Sequence, residues 1–298
     1  MTTLLHFFRL IRPLNLLVIG LTMSVFQYYI TNRTFESIIE LNFLLLVFST
    51  ILIAAAGNII NDYFDVKADR VNKPEQLIIG KYLKRRWAIV WNWVFNAAGL
   101  FIAGYLSWKF QIWSVFIISF FTINLLWFYS AYFKRTFVLG NVLVAVLTGI
   151  VPIYVIVFNL NQLQYDVSVV LVFAGYAFVL NLIREIVKDM ADVKGDLKLH
   201  SNTLPIVLGL RATKFILFIL FFACVASLGV LLYLGFERVE QNATWIKTPA
   251  LILLGAVIIT LFTSFMVLPN YLNRKRYLLS SNLLKLAMLL GLLIPLFL

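Results

Sequence analysis

Nine stretches of about twenty mostly apolar residues run along this chain, near 13–31, 41–61, 87–107, 112–132, 138–158, 167–187, 212–235, 248–268 and 279–298. Stretches such as Leu14–Ile30 and Leu41–Ile60 are long enough to cross a ~30 Å hydrocarbon core as helices. Inside hydrocarbon every backbone N–H and C=O must find a partner within the structure, which leaves helices or closed barrels. Barrel strands would show segments of ~10 residues with alternating polarity, and the sequence has none. The expected fold is therefore all-α, a polytopic membrane bundle of nine transmembrane helices forming a single domain over residues 1–298. At 62% hydrophobic and 13% charged residues, the composition is far from the ~25% charged residues of a soluble domain. Arg9 and Arg12 precede the first stretch as they would in a signal peptide. That run exceeds a typical h-region and lacks a small-residue cleavage pattern, so it reads as a retained first helix.

The net charge of +12 would raise nucleic acid as a partner in a soluble protein. Here the charge follows topology. With the N-terminus inside, the inward segments hold twenty Lys and Arg, and the outward segments hold four: Arg33, Lys109, Arg238 and Lys247. Lys285 lies within the last stretch. This asymmetry predicts a cytoplasmic N-terminus and an outer C-terminus, and no nucleic-acid partner is needed to explain it. The lone Cys224 lies mid-span, and His6 and His200 are the only histidines, which argues against disulfide and zinc chemistry. The sequons at Asn32 and Asn242 read as chance matches.

Against this apolar background stand two acidic motifs of identical spacing. Asp62, Asp65 and Asp69 form D-x-x-D-x-x-x-D, and Asp189, Asp192 and Asp196 repeat it 127 residues later. They hold six of the 13 acidic residues. On a helix of 3.6 residues per turn, positions i, i+3 and i+7 fall within roughly 60°, so each motif points three carboxylates one way. Two such charges ~6 Å apart repel by roughly 1–3 kcal/mol, a cost that hard cations with oxygen ligands relieve. Each motif begins at the predicted cytoplasmic end of an even-numbered span and is followed by a polar loop of about 20 residues, Val71–Arg86 and Leu197–Arg211. Cytoplasmic loops at about 62–86 and 188–211 are thus expected to carry the motifs, on opposite sides of the bundle and able to face one another.

Asn58 and Asn61 add neutral carbonyl oxygens to the first motif, and Glu185 extends the second. Arg70, Lys73, Lys188 and Lys194 lie around them. Carboxylates alone repel phosphate, whereas carboxylates with Mg²⁺ and Lys or Arg make a diphosphate clamp. At the mouth of an apolar cavity such a clamp suits a prenyl diphosphate, which has a charged head and a hydrocarbon tail. Its C–O bond would break toward an allylic cation, and aromatic faces can stabilise that cation. A single D-x-x-D is commonly a solvated helix end; the duplicated spacing, on the same side and with the same neighbours, argues for a site. Lys84, Arg85 and Arg86 read as topology determinants.

These residues resemble the UbiA superfamily of intramembrane prenyltransferases. The resemblance rests on Arg12-Pro13-x-Asn15, on Asn61 through Pro74 including Arg70, Asn72 and Lys73, and on Tyr129-Ser130 and Lys134-Arg135. It continues in Gly140-Asn141, in Lys188 through Asp196, and in Thr203-Leu204-Pro205. It implies Mg²⁺-dependent transfer of a polyprenyl group. It also implies metal and diphosphate roles for Asn61, Asp65, Asp69, Asp189, Asp192 and Asp196, with Asp62 in the catalytic set. Arg12, Arg70, Lys73, Lys134 and Lys188 become diphosphate contacts. The segment Asn181 to Asp189 looks most like the branch that transfers geranylgeranyl to geranylgeranylglyceryl phosphate in ether-lipid synthesis. There Arg184 suits an acceptor that carries its own phosphate. The chain departs from the family where Gln76-Leu77 stands in place of the usual Arg-Pro.

Three alternatives compete. An aromatic acceptor of the 4-hydroxybenzoate or naphthoate type would place the enzyme in quinone synthesis. A CDP-alcohol phosphotransferase would concentrate its acidic residues in one motif. A cation transporter would hold its carboxylates near the bilayer midplane, whereas these lie at its predicted edge.

Overall fold

The computed structural model describes residues 2–72, 74–160, 167–198, 200–236, 244–269 and 271–297. Among them the chain is helical. Its helices are α1 (Thr2–Ile11), α2 (Pro13–Ile30), α3 (Glu36–Ile39), α4 (Leu41–Asn72), α5 (Arg85–Phe110) and α6 (Trp113–Ala131). They continue with α7 (Leu139–Phe158), α8 (Ser168–Lys198), α9 (Leu204–Phe236), α10 (Thr244–Met266) and α11 (Arg274–Leu293). An isolated bridge between Ile79 and Leu83 is the only sheet-like pairing among the described residues. Nine helices there are long and apolar enough to cross a membrane: α2, and α4 through α11 in full or in part. The expected all-α bundle of nine spans is borne out, and the protein is an integral membrane protein.

Two compact units are present. The first comprises Met1–Lys134 with Val157–Gln162, the second Arg135–Ile156 with Leu163–Leu298.

In the first unit α4 packs against α1, α2, α5 and α6. Two buried side chains join α4 to α5: Ser49 Oγ donates to the Gly99 carbonyl at 2.7 Å, and Asn92 Nδ2 donates to the Ala56 carbonyl at 2.9 Å. Both satisfy polar groups that would be costly to bury unpaired.

In the second unit α8 packs against α9 and α11, and α10 packs against α11. Asn181 Nδ2 donates to Thr148 Oγ1 at 2.9 Å, which joins α8 to α7. Gly209 (φ 78°, ψ 164°) interrupts α9 five residues after its start. That conformation is open to glycine and closed to other residues, and it separates a short leading turn from the membrane span.

The helices carrying the motifs run further than their apolar lengths predict. At 32 and 31 residues, α4 and α8 are roughly 48 and 46 Å long, well beyond a ~30 Å core. Both acidic motifs therefore stand on helical extensions, and the connections after them shrink to 74–84 and 200–203 among the described residues. The α4 extension persists because Ile59, Tyr63 and Val66 share a face that packs on Leu10, Ile79 and Ala88. On α8, Ile186, Val187, Met190, Ala191 and Val193 are buried while Lys194 is exposed. Each extension is amphipathic and is held by its apolar side.

Candidate active site

The first motif is organised by a break in the chain. Pro13 lacks an N–H and disfavours the helical conformation at the residue before it, so α1 ends at Ile11 and α2 begins at Pro13. Arg12 between them is left-handed, with φ 56° and ψ 64°, a conformation that costs a non-glycine residue on the order of 1 kcal/mol. Two residues of α4 hold the break. Asn58 Nδ2 donates to the Ile11 carbonyl at 2.9 Å, and Asp62 forms an ion pair with the Arg12 guanidinium. Asn58, whose amide oxygen the sequence suggests as a spare ligand, spends its amide N–H on this anchor.

One turn along α4, Asn61 Nδ2 donates to Asp65 Oδ2 at 3.0 Å. Lys134, in the 3₁₀ turn Phe133–Arg135, donates from Nζ to Asn61 Oδ1 at 3.1 Å and pairs with Asp65. Burial opposes the charge on Lys134, but the Asp65 carboxylate outweighs it. The ammonium is held above the ordinary lysine range and stays charged through neutral pH. Asp65 itself is buried. Asp69 is half-buried, Arg70 is exposed at the end of α4, and Lys73 lies outside the described residues. Nearby, the Arg85 guanidinium sits 4.5 Å from the Tyr63 ring centroid.

The second motif is held by other partners. Asn141, buried near the start of α7, donates from Nδ2 to Asp189 Oδ2 at 2.7 Å. Arg274, the first residue of α11, lies 3.5 Å from Asp192 Oδ1. Lys188 donates to both carboxylate oxygens of Glu185, at 2.8 and 2.7 Å, rather than to an aspartate of the motif. Arg184 contacts Glu185 at 3.4 Å. Asp196 is half-buried, and its backbone carbonyl accepts from the Ser201 N–H at 3.0 Å.

Four of the five expected diphosphate cations can thus be placed. Arg12 and Lys134 pair with carboxylates of the first motif, Lys188 pairs with Glu185, and Arg70 faces solvent. Two partners of the second motif carried no role in the sequence reading. Asn141 is visible there as part of Gly140-Asn141, a dipeptide entering a span. Arg274 reads in the sequence as a topology determinant, and nothing local reveals its pairing with a residue 82 positions earlier.

Among the described residues no three His, Cys, Asp or Glu side chains are grouped to hold a metal ion by themselves. The donor set is nevertheless one that a hard cation takes, with carboxylate and amide oxygens and no sulfur or imidazole. Mg²⁺ commonly binds through one or two carboxylates together with substrate phosphates and water, so a closed protein cage is not required. In the first unit the ammonium of Lys134 already draws Asn61 and Asp65 together.

Comparison with known proteins adds ancestry to this geometry. Residues 17–265 match the UbiA prenyltransferase family. The chain is 32% identical over 229 residues to a digeranylgeranylglyceryl phosphate synthase of Pyrococcus horikoshii, covering 74% of this chain and 75% of that one. It is 35% identical over 181 residues to the synthase of the same name from Thermococcus gammatolerans, covering 60% of this chain and 62% of the relative's length. Among solved structures, one concerning a digeranylgeranylglyceryl phosphate synthase in membranes superposes with a TM-score of 0.70 at 24% identity, over 99% of this chain and 98% of that one. A UbiA homolog from Archaeoglobus fulgidus bound to GPP and Mg²⁺ superposes with a TM-score of 0.65 at 18% identity, over 97% and 99%. At these identities the two structures speak for the fold.

Proposed function

The chain belongs to the UbiA prenyltransferase family and is a prenyltransferase, and on that premise we propose that it moves geranylgeranyl from its diphosphate to geranylgeranylglyceryl phosphate, with Mg²⁺. The observation that carries the reading is the Lys134 ammonium seated on Asn61 and Asp65. It sets a fixed positive charge beside oxygen ligands, the two elements that a metal–diphosphate complex needs at one place. The acceptor assignment rests on the name shared by the relatives and on Arg184, whose guanidinium can take a phosphate through two parallel hydrogen bonds.

In this reading Asn61, Asp65 and Asp69, with Asp189, Asp192 and Asp196, hold Mg²⁺ and so the donor's diphosphate, and Asp62 positions Arg12. The assignment of both motifs to one donor rests on their repeated spacing in the sequence. Bound Mg²⁺ would offset part of the charge on the diphosphate. Arg12, Arg70, Lys73, Lys134 and Lys188 take its remaining oxygens and stabilise the negative charge that builds as it leaves. The allylic C–O bond breaks with its electron pair going to the diphosphate. The glycerol hydroxyl attacks the resulting carbon cation and then loses its proton to the diphosphate or to water. No dedicated base is required. Residues 1–298 act as one functional domain, with a cytoplasmic N-terminus, an outer C-terminus and a donor site open to the cytoplasm, as the Lys and Arg asymmetry indicates.

The test is a transfer assay on purified protein in detergent with Mg²⁺ and radiolabelled geranylgeranyl diphosphate, offering geranylgeranylglyceryl phosphate and 4-hydroxybenzoate in parallel, with Asp192→Asn as control. Label on the glycerol phosphate supports the reading. Label only on the aromatic acid keeps prenyl transfer and rejects the acceptor.

A further inference from the structure

Lys285 is a cation deep in a membrane span. It lies eleven residues into α11 from Arg274, about 16 Å along the helix, which is deeper than a lysine at a helix end that merely snorkels to the interface. A charge at such depth is costly and marks function by default.

The packing of α11 on α8 shows what it faces. At one end Arg274 lies 3.5 Å from Asp192. At the other, Tyr176 Oη donates to the Ala287 carbonyl at 2.9 Å, and a Cβ on Gly291 would fall 2.6 Å from the same oxygen. The two helices therefore run antiparallel. Arg184 is midway between Tyr176 and Asp192, which sets it level with about residues 280–281 of α11. Helical side chains lean toward the N-terminus of their own helix, so the Lys285 ammonium leans back toward that level, and Arg184 is within electrostatic reach of it.

Two polar atoms at this level are buried without a partner, Arg184 Nε and Ser280 Oγ. Native interiors rarely leave such atoms unsatisfied, and a missing ligand is one reason for an exception. The charges fit an anion. Lys188 takes both oxygens of Glu185, leaving Arg184 a single contact at 3.4 Å. Arg184, Lys188 and Lys285 against Glu185 carry two surplus positive charges, matching a phosphate monoester of roughly −1.5 to −2 at neutral pH.

We propose that Lys285, Arg184 and Ser280 form the site that receives the phosphate monoester of the lipid acceptor, with Lys285 as its second cation. This rests on the phosphate-bearing acceptor proposed above and extends it to α11. The site lies on the membrane side of the second motif, Arg184 being five residues, about 7–8 Å, from Asp189 along α8. A lipid held there keeps its tail in the bilayer.

The test measures equilibrium binding in EDTA, where no turnover occurs, on wild type, Lys285→Met, Lys285→Arg and Ser280→Ala. The probes are geranylgeranylglyceryl phosphate, its dephosphorylated diol and inorganic phosphate. Lys285→Met should weaken the phosphorylated lipid by about ten- to a hundredfold, with Lys285→Arg restoring most of the affinity. Ser280→Ala should weaken it by a smaller factor. The diol should bind all four proteins alike, and millimolar inorganic phosphate should not displace the lipid. Equal affinity of wild type and Lys285→Met for the phosphorylated lipid overturns the site. So does an equal loss of diol binding, which would mean a packing role, or displacement by inorganic phosphate, which would mean a free-anion site. The transfer assay separates the two levels. If wild type labels only the aromatic acid, the acceptor reading fails and takes this site with it. If wild type labels the glycerol phosphate while Lys285→Met binds it normally, only this site fails.

Discussion

Asn141 donates a 2.7 Å hydrogen bond to Asp189, so the first turn of α7 fixes one carboxylate oxygen of a motif carried by α8. A hydrogen bond to a charged group contributes about 1.5–3 kcal/mol. In the proposed mechanism that bond leaves the second Asp189 oxygen directed for a metal. Asn141→Ala should therefore lower kcat by about ten- to a hundredfold and raise the Mg²⁺ concentration needed for half-maximal rate. A metal requirement that stays the same would make Asn141 a packing residue.

Lys134 should be the most sensitive cation of the first motif, because it touches both Asn61 and Asp65. Lys134→Met removes a fixed charge aimed at the leaving group and should reduce transfer by at least about a hundredfold. Lys134→Arg should recover part of that loss. Steady-state rates on the two variants check the order.

The contact of α8 with α11 is testable through stability alone. A methyl on Gly291 would press on the Tyr176 ring and hydroxyl, and overpacking of this kind costs about 1–3 kcal/mol. Tyr176→Phe removes the hydrogen bond to Ala287 at a cost of about 1 kcal/mol. Thermal unfolding in detergent should show Gly291→Ala as the larger loss. The double variant should be less destabilised than the sum of the two, because removing the hydroxyl relieves the closest clash.

Orientation can be read by cysteine labelling, since the native Cys224 is buried. Arg33 and Asn202 are both exposed. A membrane-impermeant maleimide should label Arg33→Cys in intact cells and Asn202→Cys only after permeabilisation. The reverse pattern would invert the proposed topology.

The spans are legible in the sequence because apolar length alone determines what can cross a bilayer. The helical extensions are less legible. Hydropathy falls at Asp62 and again at Asp189, and what continues the first helix is distant burial, with Val66 packed near Leu10 and Ile79. The spacing of the carboxylates is readable, but their partners are not. Lys134 meets Asp65 across 69 positions and Arg274 meets Asp192 across 82, distances over which no local pattern carries information. Lys134 enters the sequence reading only through the family resemblance, and Arg274 does not enter it as a site residue. Lys188 stands beside Asp189 in sequence yet turns to Glu185, because residues three apart on a helix share a face and adjacent residues do not.

The central claim is that the two acidic motifs bind a prenyl diphosphate through metal. The most direct measurement is equilibrium binding of geranylgeranyl diphosphate to purified wild type, Asp65→Asn and Asp192→Asn, each with Mg²⁺ and with EDTA. Saturable binding by wild type in Mg²⁺, lost in EDTA and strongly weakened in both variants while they remain folded and monodisperse, is the predicted result. Binding that is indifferent to EDTA, or that survives unchanged in both variants, would contradict it.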